Sequence, residues 1–121
     1  MTKWMVAVAG IAAMVPAAAL ADGYAFKELA RGEDRAALLA IEASAGAATD
    51  DPALLINHGV ALARVGEYDA ARTKFEAALR GPRVRLETAG GEWIDSRTLA
   101  RRGLSLIEEG AFEQYVAMAS R

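Results

Sequence analysis

Residues 51–82 read DPALLINHGVALARVGEYDAARTKFEAALRGP, and the fold is decided in this stretch. Asp51-Pro52 starts a helix: the carboxylate accepts from amides that lack a helical partner, and proline fits the first helical position. Leu55, Gly59 and Leu62 then share one face, with Ile56 and Val60 beside them. Gly66 closes this helix. A second begins near Glu67 and carries Tyr68, Ala71, Phe75, Ala78 and Leu79 as a single apolar stripe. Asp69, Arg72, Thr73, Glu76 and Arg80 fall on its solvated side. Gly81-Pro82 stops it, pairing a C-cap glycine with a following proline. The stretch reads helix, tight turn, helix.

Toward the N-terminus, residues 33–44 place Ala37, Leu38, Ile41 and then Ala45 at helical spacings. Glu33 and Asp34 lie in the first turn, where they favour the positive end of the helix dipole. Gly46 ends this helix, and Gly32 separates it from a shorter stripe of Tyr24, Phe26 and Leu29. Earlier still, Lys3 precedes an apolar or small run over residues 4–15, followed by Pro16 and Ala17-Ala18-Ala19-Leu20-Ala21. A basic start, an apolar run and an Ala-x-Ala ending predict a signal peptide over residues 1–21, cut after Ala21. Pro16 breaks the run short of the roughly 20 apolar residues of a spanning helix. The expected mature chain, residues 22–121, is then exported, to the periplasm or exterior of a bacterium, with no membrane anchor.

Loss of Lys3 takes the 14 basic residues to 13 against 16 acidic ones, a net charge of −3. That balance argues against a nucleic-acid partner, which calls for a basic face. The chain has no cysteine, so disulfides and a lipid carried on an N-terminal cysteine are both excluded. Packing alone must stabilise a single small domain.

Toward the C-terminus the period changes. Residues 84–88 (VRLET) alternate apolar and polar, Ala89-Gly90-Gly91 is a turn, and residues 92–95 (EWID) return. This predicts a β-hairpin within residues 83–95. Asp95 or Ser96 then caps a helix to about Glu109 with Leu99, Gly103 and Leu106 inside. Gly110 breaks it, and a last helix carries Phe112, Tyr115, Val116 and Ala119.

Gly32, Gly66 and Gly110 mark three helix-to-helix turns, 34 and then 44 residues apart. A helix-turn-helix period of 34 belongs to the tetratricopeptide repeat. The central stretch resembles that family at Leu55, Gly59, Leu62, Gly66, Tyr68, Ala71, Phe75 and Ala78. It departs at His58, where an apolar residue is usual, and at Pro82, one residue early. Ala37, Ile41 and Ser44 align one period upstream; Leu99, Gly103, Leu106, Gly110, Phe112 and Tyr115 align downstream, the surplus matching the hairpin. The resemblance implies an all-α domain of stacked helical hairpins, a short α-solenoid with units 22–46, 51–82 and 96–121 and a β-hairpin insertion.

It also implies protein interaction. In the family the first helix of each pair lines a concave groove; here that face holds Ala53, Ile56, Asn57, Val60 and Arg64, then Arg97, Ala100, Arg101 and Leu104. The expected occupant is a short segment of an envelope protein. Asn57, Arg97 and Arg101 resemble members of a clamp for a peptide's terminal carboxylate, which arginine suits by donating two parallel bonds. Asp22 and Phe26 stand where the first unit would complete it, and an apolar-lined groove without a clamp is the competing reading. A structural subunit packed permanently against another chain is the alternative function.

Catalysis, cofactors, metals and small-molecule substrates find no motif. One histidine, His58, and no cysteine cannot meet the usual metal-ligand spacings, and a structural role suits His58 better. Asp50-Asp51 reads as capping, Glu108-Glu109 as a solvated helix end. Gly90-Gly91 lacks the spacing and lysine of a phosphate loop. Arg80, Arg83, Arg85, Arg97, Arg101 and Arg102 gather around the hairpin, to be solvated or paired with Glu87, Glu92 and Asp95; a basic patch for an acidic partner is the second reading.

Overall fold

Asp51 opens the central helix through its side chain, Oδ1 accepting from the Ala53 amide at 3.0 Å, with Pro52 in the first helical position. That helix belongs to a computed structural model that describes residues 25–43, 50–88 and 90–119. The signal segment over residues 1–21, Asp22, Tyr24, Ser44, Ala45, Gly46 and Ala89 lie outside the described residues, as does the side chain of Phe26. In chain order the elements are α1 (Phe26–Ala30), α2 (Asp34–Ala43), α3 (Pro52–Arg64), α4 (Tyr68–Arg80), β1 (Arg85–Glu87), β2 (Trp93–Asp95), α5 (Ser96–Glu108) and α6 (Ala111–Ala119). The described chain is helical apart from one antiparallel two-stranded sheet, as its periodicities predict.

Helices reverse at the three glycines. Gly32, Gly66 and Gly110 have φ of +75°, +89° and +75°, a left-handed backbone that side chains disfavour. At the first two, the following amide reaches back to a helical carbonyl five residues earlier: Glu33 to Glu28 and Glu67 to Leu62, each at 2.9 Å. Gly81 is the C-cap of α4, as expected, but not in a left-handed conformation. Its backbone is extended (φ −83°, ψ −173°), and its carbonyl accepts from Arg97 Nη2 at 2.9 Å. A guanidinium from α5 therefore occupies the end of α4.

α3 is the axis of the molecule, touching α1, α2, α4, α5 and α6. All of its residues, Pro52–Arg64, are buried. α4 lies between α3 and α5, and its Phe75, fully buried, is what both neighbours pack on. A Cβ built on Gly59 of α3 would lie 2.8 Å from the Phe75 ring, and one on Gly103 of α5 would lie 2.6 Å from it. Two glycines from different helices thus let one aromatic ring sit against two backbones.

The hairpin pairs Arg85 with Asp95, Leu86 with Ile94 and Glu87 with Trp93. Its turn is closed by Gly91 N–H to the Thr88 carbonyl at 2.9 Å, with Gly91 at φ +84°. Leu86 points inward and is buried, whereas Arg85 and Trp93 on the other face are exposed. Asp95 leaves the strand as the N-cap of α5: Oδ1 accepts from Arg97 N–H at 2.8 Å and Thr98 N–H at 3.3 Å.

Candidate functional site

Nine residues were expected to line an open groove, and burial sorts them. Ala53, Ile56, Asn57, Val60, Arg64 and Ala100 are buried, at 0–5% exposure. Along α3 the expected groove face is therefore interior, because helices surround that element on several sides. On α5, Arg97 and Leu104 are half-buried and Arg101 is exposed. The clamp-like trio is divided likewise: Asn57 is fully buried, Arg97 is committed to the Gly81 carbonyl, and only Arg101 stands clear in solvent.

What Arg64 does instead emerges at the C-terminal end of α3. Its Nη1 donates to the Leu29 carbonyl at 2.8 Å and to Asp34 Oδ1 at 3.2 Å, with the Arg64 side chain 3% exposed and that of Asp34 11%. Tyr115 of α6 donates its hydroxyl to Asp34 Oδ2 at 2.6 Å, and its ring lies 5.1 Å from the guanidinium carbon. Four helices are thereby tied at one point: α1 by a backbone carbonyl, α2 by a carboxylate, α3 by a guanidinium, α6 by a phenol. Beside it opens a cleft of about 400 Å³, lined by residues 32–36, Arg64, Val65 and Val116. The arrangement pairs a buried charge, leaving Arg64 Nε without a partner, and holds helices together.

Burial, followed by the hydrogen bond to Asp34, pushes the Tyr115 hydroxyl up from its ordinary value of 10 to about 12. The folded chain then keeps a proton that the unfolded chain releases, so the stabilisation is whole below pH 10 and is lost as pH rises from 10 toward 12. Tyr115→Phe is expected to flatten that alkaline decline and, at neutral pH, to cost roughly 1–3 kcal/mol by leaving Asp34 Oδ2 without its donor. Urea unfolding of both proteins at neutral and alkaline pH checks both effects. Parallel pH curves would refute this role for the hydroxyl.

His58 is 4% exposed, with Nε2 4.0 Å from Glu42 Oε2. Burial lowers its pKa, helped by Lys74 and opposed by Glu42, so at neutral pH it is an uncharged ring within the core. Among the described residues no group of His, Asp or Glu is placed to hold a metal ion, and no helix is long and apolar enough to cross a membrane.

Around the hairpin, Arg83 Nε meets Asp95 Oδ2 at 3.2 Å and Arg85 Nη2 donates to the Trp93 carbonyl at 3.2 Å. Of the ion pairs expected there, Arg83 with Asp95 is the one formed among the described residues. The Arg64–Asp34–Tyr115 cluster was not read from sequence. Its members are 30 and 81 positions apart, beyond any local pattern; the one available signal is an arginine ending a helix otherwise almost wholly apolar. No family model, curated protein or solved structure matches the chain.

Proposed function

We propose that the chain is an exported protein-interaction module of stacked helical hairpins, akin to the tetratricopeptide repeat, that takes a short segment of an envelope protein along α5. The repeat reading is supported by Gly59 and Gly103, which stand at matching places of two helices and press on the same Phe75 ring. The observation that carries the binding reading is a stripe on α5. Arg97, Arg101 and Leu104 follow at spacings of four and three residues, and they are the sequence-predicted groove residues that keep solvent exposure. Residues 80–102 carry six arginines against Glu87, Glu92 and Asp95, a local charge of +3 within a chain of −2. An acidic segment or a terminal carboxylate suits that surface.

A separable module is favoured over a permanently packed subunit by the surface itself. Large exposed apolar residues among those described are Leu39, Val84 and Trp93, whereas obligate interfaces resemble a divided core. Photo-crosslinkers placed in intact cells at Arg101 and Leu104 should trap a partner, and one at Glu76 on the outer side of α4 should not. Arg101→Glu should abolish that capture. Crosslinks arising from Glu76 alone would overturn the α5 surface as the binding face.

A further inference from the structure

The hairpin has an open edge, and its charges are written for a copy of itself. In an antiparallel ladder, directly opposed residues alternate between exchanging hydrogen bonds and pointing their backbone groups outward. The Thr88 amide donates to the Glu92 carbonyl at 2.8 Å, and the Ser96 amide to the Val84 carbonyl at 2.8 Å. Pairs 84/96, 86/94 and 88/92 are therefore the hydrogen-bonded ones. At Arg85 and Glu87 the N–H and C=O groups face away from β2, and no turn, cap or loop hydrogen bond among the described residues reaches them.

The opposite edge is partly covered. The Trp93 carbonyl accepts from Arg85 Nη2, and at Asp95 the chain turns into α5. β1 is thus the strand whose outward groups are all vacant, and unpaired strand edges are templates for another strand. Val84 and Trp93, both exposed and at or beside this sheet, add apolar surface at 37% and 57% exposure.

We infer that β1 pairs with β1 of a second copy, antiparallel, across a two-fold axis through Leu86. In that register Arg85 of one copy opposes Glu87 of the other and Glu87 opposes Arg85, so both vacant backbone positions become hydrogen-bonded pairs. Each also sets an arginine against a glutamate on the outer face, the favourable sense of cross-strand charge, with Arg85 exchanging the Trp93 carbonyl of its own hairpin for the glutamate of the second copy. Leu86 meets Leu86 on the axis. The symmetry is isologous: one patch complements itself, and the result closes as a dimer of a four-stranded sheet. A charged residue on an edge ordinarily discourages pairing; here the order Arg-Leu-Glu repels its own parallel alignment and matches its antiparallel one. This surface is separate from the α5 stripe. With a β1 of three residues, the association is weak and depends on concentration.

Sedimentation of the full chain over a dilution series up to about 1 mM should show monomer passing to dimer. Arg85→Glu and Glu87→Arg should each weaken the dimer roughly tenfold or more, since two-fold symmetry turns both ion pairs into repulsions. The double variant R85E/E87R should recover it, and mixing the two single variants should give a heterodimer. A readout independent of substitution is amide exchange in the unaltered chain: the Arg85 and Glu87 amides should slow as concentration rises, and the Leu86 amide should not change. A chain that stays monomeric to about 1 mM, a dimer indifferent to the single variants, single variants that fail to associate when mixed, or Arg85 and Glu87 amides indifferent to concentration would each overturn the pairing.

Discussion

Phe75→Ala is expected to remove roughly 3–5 kcal/mol of stability, a large part of the 5–15 kcal/mol typical of a domain. The ring is fully buried and serves two helix contacts at once, so its loss opens one cavity against both α3 and α5. The two glycines make the prediction sharper. In the unaltered chain Gly103→Ala brings a Cβ to 2.6 Å of the ring; overpacking costs about 1–3 kcal/mol, only partly offset by the ~1 kcal/mol alanine gains over glycine in a helix. With Phe75→Ala present the same methyl enters vacant space and stabilises. Denaturant unfolding of the two single variants and the double should show the Gly103→Ala effect change sign. A simple sum of the single effects would mean that the close approach carries no packing energy.

Local chemistry was the legible part of the sequence. Asp51-Pro52, the left-handed glycines at the helix reversals, Asp95 as a cap and the alternation around Gly90-Gly91 each obey a rule spanning a few residues, and each is found in place. The groove face was misread for a reason that composition already contained. Within Pro52–Arg64 the polar residues are Asn57, His58 and Arg64, and a helix apolar on all sides is interior to its domain. Assigning that helix an open face borrowed from a resemblance, against its own pattern. On α5, where arginines do alternate with the apolar stripe, the same assignment left Arg101 in solvent. The hairpin was visible, but its register and which of its edges stays vacant depend on contacts such as Arg85 with the Trp93 carbonyl, a matter of three dimensions.

Asp34→Ala is expected to cost about 3–5 kcal/mol, because Arg64 is then a buried cation with no counter-charge. Its bond to the Leu29 carbonyl would persist, and the Tyr115 hydroxyl would lose its acceptor. The loss should far exceed the contribution of a solvent-exposed pair such as Arg72 with Asp69, whose Asp69 side chain is fully exposed. Stability and structural role part company when the whole cluster is replaced. Arg64→Met with Asp34→Leu and Tyr115→Phe removes every charge and every orphan together, and buried ion clusters exchanged for apolar groups of similar volume are often neutral or stabilising. The triple variant should therefore unfold within about 1 kcal/mol of the unaltered chain. What it should lose is the fixed docking of α6, since the directional bonds that Arg64 and Tyr115 donate to Asp34 join that helix to α2 and α3. Amide exchange along Ala111–Ala119 should quicken in the triple variant while α3 stays protected. A triple variant as unstable as Asp34→Ala would instead mean that the cluster itself, and not the penalty for orphaning one charge, stabilises the fold.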